Sequence, residues 1–259
     1  MMAILLATLV VGAPLWRSPG ARAVAAGPLS EITGATATSG DEGGAPPEHP
    51  EFREGPWPAD GSWVPVVPSD VAGTVYAGPV SRLQTLGVLT GGADGLFRPG
   101  DPITRAEASA VLVRLRGYTA EQVAAAGDAP GRYADVPLRH WAAGYVNLMD
   151  SLGVVRGYAD GTFRPEESVT WAEFLTMLIR LLGYGELLQG SWPEGAMGEA
   201  ERLGLITDPA PAPDEPVTRG EVAVVVDRAA HRVPVAPALD PAGRTPAQLW
   251  LGKADGAEF

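Results

Sequence analysis

Three short motifs constrain this chain more than any other feature. Ile103-Thr104-Arg105-Ala106-Glu107 recurs as Val169-Thr170-Trp171-Ala172-Glu173 and as Val217-Thr218-Arg219-Gly220-Glu221, each opening an apolar stretch with an arginine seven residues after the glutamate. The first two copies align without a gap, Gly87 to Tyr118 against Gly153 to Tyr184, at a constant offset of 66. Such self-similarity marks a repeat architecture, in which each unit buries its apolar face against a neighbour. The third copy is degenerate. Gly204-Leu205-Ile206 matches Gly153-Val154-Val155, but the shorter Asp208-Pro209-Ala210-Pro211-Ala212-Pro213 stands where the others have Asp-Gly-x-Phe-Arg-Pro. A terminal repeat is expected to be atypical, because one of its faces meets a different neighbour.

Each repeat reads as helix, loop, helix. Trp141, Tyr145, Val146, Met149 and Leu152 form one apolar helical stripe, which Gly153 ends as a left-handed cap. A loop rich in turn formers follows, then Thr170 and Glu173 make a Thr-x-x-Glu capping box before the buried side Phe174, Met177, Leu178, Leu181 and Leu182, stopped by Gly183. Trp192 stands as far before Gly204 as Trp141 does before Gly153. The second helix of the third copy is rich in β-branched valines, but its capping box and the repeat context outweigh that small propensity difference. In the first copy the tryptophan position is blurred and Tyr76 lies nearest to it.

These residues carry a resemblance. Tyr133-Ala134-Asp135-Val136, His140-Trp141-Ala142, the run from Gly153 to Pro165 and Thr-Arg-Ala-Glu resemble the S-layer homology module of bacterial cell-surface proteins, over about residues 66 to 232. The resemblance implies an all-α fold of three helix-loop-helix modules in one pseudo-threefold unit, with the second helices as a central bundle. It also implies non-covalent cell-wall anchoring: grooves between modules bind secondary cell-wall polysaccharide, often through a pyruvylated sugar.

The expected organisation is a signal peptide over 1–26, a disordered Gly/Pro-rich linker over 27–65, repeats over 66–119, 130–185 and 190–232, and a flexible tail over 233–259. The apolar run from Met1 to Trp16 is shorter than the ~20 residues of a membrane span and is followed by small residues suited to cleavage, although no Lys or Arg precedes it. The mature chain is therefore expected to have no transmembrane segment and to sit outside the cell, on its wall. Cysteine is absent, which excludes a lipoprotein anchor, disulfides and thiol chemistry.

A formal net charge of −12 argues against nucleic acid, because phosphate binding needs a basic face. An anionic glycan meets the same difficulty unless cations are placed locally. Arg105 and Arg219 follow their capping Thr, where the helix start also favours anions, and are the expected glycan ligands. Trp171 takes that slot in the second repeat, so its groove is expected to bind weakly or to stack a sugar ring. Trp141 and Trp192 read as core residues first and groove walls second. Asp70 and Asp135 read as N-caps of the first helices, with sugar contact as the second use. Arg114, Arg180 and Arg228 are expected to pair with a Glu or to cover a neighbouring helix.

Other chemistries lack support. His49, His140 and His231 are far apart in sequence, the Asp-Gly loops lack the other oxygen donors of a calcium loop, and no phosphate loop follows a strand. No cofactor, metal or enzymatic activity is expected. The partners expected are wall polysaccharide and other S-layer or envelope proteins. The alternative is a secreted envelope scaffold or protein-interaction module whose sugar grooves have decayed.

Overall fold

The computed structural model describes residues 67–249, residue 93 excepted. The expected signal peptide and linker, with Phe52, Trp57 and Trp63, lie outside these residues, as do Trp250 and Leu251.

The described chain is helical, and only isolated bridges represent β structure. Seven α-helices follow one another: α1 (Ala77–Thr85), α2 (Arg105–Arg116), α3 (Ala120–Gly127), α4 (Ala143–Ser151), α5 (Trp171–Leu181), α6 (Glu194–Arg202) and α7 (Arg219–Arg232). All three expected capping boxes form, with Thr104, Thr170 and Thr218 each bonded reciprocally to the glutamate three residues on. The valine-rich α7 is a helix of 14 residues. Gly153 and Gly183 adopt φ of +68° and +88°, the left-handed conformation that ends a helix. Helix α3 falls in the stretch left outside the repeats. It starts at a Thr119/Gln122 capping box, the amide variant of the same signal.

The packing is offset from the sequence repeats. The first helix of each repeat rests on the second helix of the repeat before it: α4 on α2, α6 on α5, and α1 on α7. That last pair joins the first repeat to the last, and Arg82 of α1 holds Asp227 of α7 through two bonds of 2.8 and 2.6 Å. The apolar residues before the caps meet at the centre. Ile103 N–H donates to the Val217 carbonyl (3.1 Å), Val217 N–H to Val169 (3.0 Å), and Val169 N–H to Ile103 (3.0 Å). All three side chains are buried, so this closed ring satisfies in the core three amides that would otherwise be costly there.

One expectation needs correction. The segment after Arg232 is not a loose tail over 233–249: Val233, Val235 and Ala247 are buried, Ala236 N–H donates to Leu182 O (2.8 Å), and the Tyr184 hydroxyl donates to Pro234 O (3.0 Å). Within it Arg244, through its side chain and then its backbone N–H, holds the Asp240 carboxyl down at about 2. The interior arginines, expected to pair with a Glu or to cover a neighbouring helix, make the following bonds. Arg180 and Arg228 each donate to the carbonyl after their repeat's αL glycine, at Val154 (3.1 Å) and Leu205 (2.9 Å), while Arg114 donates to the Tyr145 hydroxyl (2.9 Å). A planar guanidinium suits such carbonyls, which no helix bond can reach.

Candidate functional site

The start of each second helix is seated on the loop of another repeat, which makes a seam. Arg105 and Ala106 N–H groups donate to Glu167 and Pro165 carbonyls, Trp171 and Ala172 to Glu215 and Pro213, and Arg219 and Gly220 to Asp101 and Pro99. These six bonds are 2.9–3.0 Å long and use helix-start amides that have no partner inside the helix.

Side chains complete two of the seams in the same way. Arg105 Nε donates to Phe163 O (2.9 Å), its Nη1 meets Glu173 Oε1 at 3.2 Å, and the guanidinium lies over the Phe163 and Tyr158 rings. Arg219 repeats this with Phe97 O (2.9 Å), Glu107 Oε1 (3.3 Å) and the Phe97 ring. As glycan ligands at a free helix start these arginines would be exposed, and they are not. Arg105 is 7% and Arg219 9% exposed, because the neighbouring loop closes over a position that is a helix surface when its own repeat is considered alone. At the third seam Trp171 is 6% exposed and fills the slot with apolar bulk. Position 220 lacks a side chain for a local reason: a Cβ there would lie 2.9 Å from the Tyr76 ring and from Pro99 O.

The loops are built by the two aspartates. Asp70 accepts from the N–H groups of Phe97 (3.0 Å) and Arg98 (2.6 Å), and Asp135 from Phe163 (2.9 Å) and Arg164 (2.7 Å). Neither caps a helix, since α1 and α4 begin after Tyr76 and Ala142. Arg98 and Arg164 have φ of +54° and +59°, and such a turn aims successive N–H groups at one point, a concavity made for an anion. Burial alone would raise the pKa of Asp70, but the Phe97 and Arg98 N–H groups outweigh it and hold the carboxyl below its ordinary value.

The S-layer homology domain model matches residues 69–109 and 132–175, which contain both aspartates, both complete loops and the first two helix starts. This chain carries two S-layer homology modules. Over 150 residues it is 36% identical to the middle cell wall protein of Brevibacillus brevis, a match that covers 58% of this chain and 14% of that one. It is 37% identical over 126 residues to a surface layer protein of Brevibacillus choshinensis (49% and 11% covered) and 29% identical over 181 residues to a cellulosome-anchoring protein of Acetivibrio thermocellus (64% and 40% covered). The chain thus spans well under half the length of each of these relatives.

The remaining expected residues of the modules are dispersed. Trp141 is half-buried at the entry to α4, stacked on His140 (5.9 Å) and edge-on to Tyr145 (6.3 Å). Trp192 is 62% exposed, so its reading as a core residue is wrong: α6 begins only at Glu194, and the residue before Pro193 lies off the buried stripe. The sequence reading overlooked Arg98 and Arg164. Each side chain is 39% exposed and paired with Asp94 or Asp160, and Arg164 lies 4.0 Å above the Tyr158 ring. Their recurrence at the 66-residue offset was the available signal. No group of residues suited to a metal ion is found among the described residues.

Proposed function

We propose that this chain is held on the cell wall without a covalent bond, by binding an anionic or pyruvylated wall polysaccharide in the grooves between adjacent repeats. The coarser function, attachment at the cell surface, belongs to the S-layer homology modules it carries. The observation that supports the finer reading is the seam. At Arg105 and at Arg219, a helix start, a fixed guanidinium and an aromatic ring meet beside a half-exposed loop arginine, Arg164 or Arg98. An acidic sugar would meet the loop arginine first, through a charge-assisted bond, and the buried arginine would hold the groove wall in place. Asp70 and Asp135 shape the loops in this scheme, Trp141 and exposed Trp192 offer flat apolar faces, and the Trp171 groove is the weakest. The modules bind and do not catalyse.

One observation favours the scaffold alternative: Arg105 and Arg219 already have glutamate partners, so they explain themselves as locks between repeats. Sedimentation of the purified protein with wall sacculi decides. Binding that disappears when the polysaccharide is stripped, and that weakens about ten-fold in an Arg98→Gln, Arg164→Gln variant with unchanged helical circular dichroism, supports the glycan reading. Parent and variant binding alike, or binding to stripped walls, overturns it in favour of the scaffold.

A further inference from the structure

A second concave region lies where α2 and α5 finish, at the opposite end of those helices from the seams. It is a groove of about 580 Å³, within the usual range of ligand clefts, whose lining includes Arg116, Arg156, Arg180, Glu186, Gln189 and Leu239. In a chain of net charge −12, this lining sets three cations against one carboxylate. Among the described residues none of the three arginines makes an ion pair. Arg180 gives one of its five donors to the Val154 carbonyl (3.1 Å), while Arg116 and Arg156 have no hydrogen-bond partner among the described residues. Burial, and then the positive charge of Arg156, push the Arg180 pKa down, so the cations are held together against their mutual repulsion.

Helix polarity accounts for part of this. A cation near the C-terminus of a helix is favourable, which covers Arg116 on α2 and Arg180 on α5. It does not cover Arg156, which is exposed and comes from the loop after α4. Its position makes sense if something negative occupies the groove. Among the described residues no aromatic side chain lines the groove, so they offer a nucleotide base no platform on which to stack. Guanidinium groups suit carboxylate and phosphate through paired bonds.

We propose that this groove is a second saccharide site, selective for sugar chains that carry carboxylate or phosphate, and separate from the seams at Arg105 and Arg219. The preference for an anion rests on the groove alone, while the choice of a sugar as its carrier rests on the wall-anchoring reading. Calorimetric titration of the full chain with tetragalacturonate, phosphorylated maltotetraose and neutral maltotetraose tests it. The expected result is binding of one or both charged probes, weakening with added salt, and none of the neutral one; the tighter charged probe identifies the group recognised. An Arg116→Gln, Arg156→Gln variant, which removes no native bond, should keep its helical signal and lose at least ten-fold in affinity. The Arg98→Gln, Arg164→Gln variant should lose whatever part of the titration the seams contribute and keep the part that Arg116→Gln, Arg156→Gln removes. Parent protein that ignores both charged probes, a groove variant that binds them unchanged, or neutral and charged probes bound alike would each overturn the proposal. Should sacculi fail to retain the protein while the charged probes still bind through Arg116 and Arg156, the wall-anchoring reading falls and the anion site stands.

Discussion

The α2 and α5 seams share one backbone arrangement and fill it with opposite chemistry. At α2 the slot holds a guanidinium bonded to a loop carbonyl and to Glu173. At α5 it holds the indole of Trp171, and the receiving loop has no Phe-Arg pair. The backbone bonds are as short at one seam as at the other, so the docking of helix start on loop does not depend on arginine. What differs is the carboxylate opposite. Glu173 and Glu107 each give Oε2 to their cap and Oε1 to an arginine, whereas Glu221 makes its cap bonds through Oε2 and its Oε1 has no partner among the described residues. The third box is made like the others and lacks only the cation.

Removing the cation where it exists should have the largest effect. Arg105→Ala or Arg219→Ala leaves a glutamate, half-buried Glu173 or buried Glu107, and a loop carbonyl without their partner and should cost about 3–5 kcal/mol in urea unfolding. A loss under 1 kcal/mol would show that the two seam types are energetically equivalent. Supplying the cation where it is missing sharpens the comparison. Trp171→Ala should cost about 3–5 kcal/mol through the cavity it leaves. Trp171→Arg should cost at least about 1 kcal/mol less by pairing with Glu221, and the advantage should vanish on a Glu221→Gln background. Acid should act on the α7 seam, whose loop Asp70 holds, and spare the α5 seam. The Asp70 carboxyl has a folded pKa below its ordinary 3.8, so its contribution is complete above that value and is lost as the pH falls through the lower, folded one. Amide exchange at Phe97 and Arg98 should therefore quicken below pH 3.8, while the Trp171 amide, whose acceptor is a carbonyl, keeps its protection. Equal loss at both would mean that the aspartate does not hold the loop.

What the sequence disclosed follows from how far each signal reaches. Capping boxes act over three residues and apolar stripes over a helix, so helix starts, the αL glycines and even the valine-rich α7 were readable. Asp70 was read by a local rule as a cap because its true partners stand 27 and 28 residues away. The burial of Arg105 was invisible for a stronger reason. Its cover is Phe163 of the next repeat, and a position's exposure is not a property of its own helix. The same holds for the pairing of first helices with the preceding repeat, which helix-loop-helix order within a repeat does not reveal. Thr119 and Gln122 carry the amide form of the same box, a signal as local as the glutamate form.

Stacks of repeats usually grow in one dimension, each unit touching only its neighbours, and their length is free to vary. The amide ring of Ile103, Val169 and Val217 removes that freedom. Each unit gives one bond and receives one, and the last returns to the first, so the series closes as a head-to-tail contact closes in a symmetric oligomer. Duplicating a unit cannot lengthen such an object. A fourth copy finds no vacant carbonyl at the centre, and a chain reduced to two leaves an amide and a carbonyl facing a void. The count of units is thus written into three hydrogen bonds, and a surface protein that needs more attachment points has to add whole closed sets.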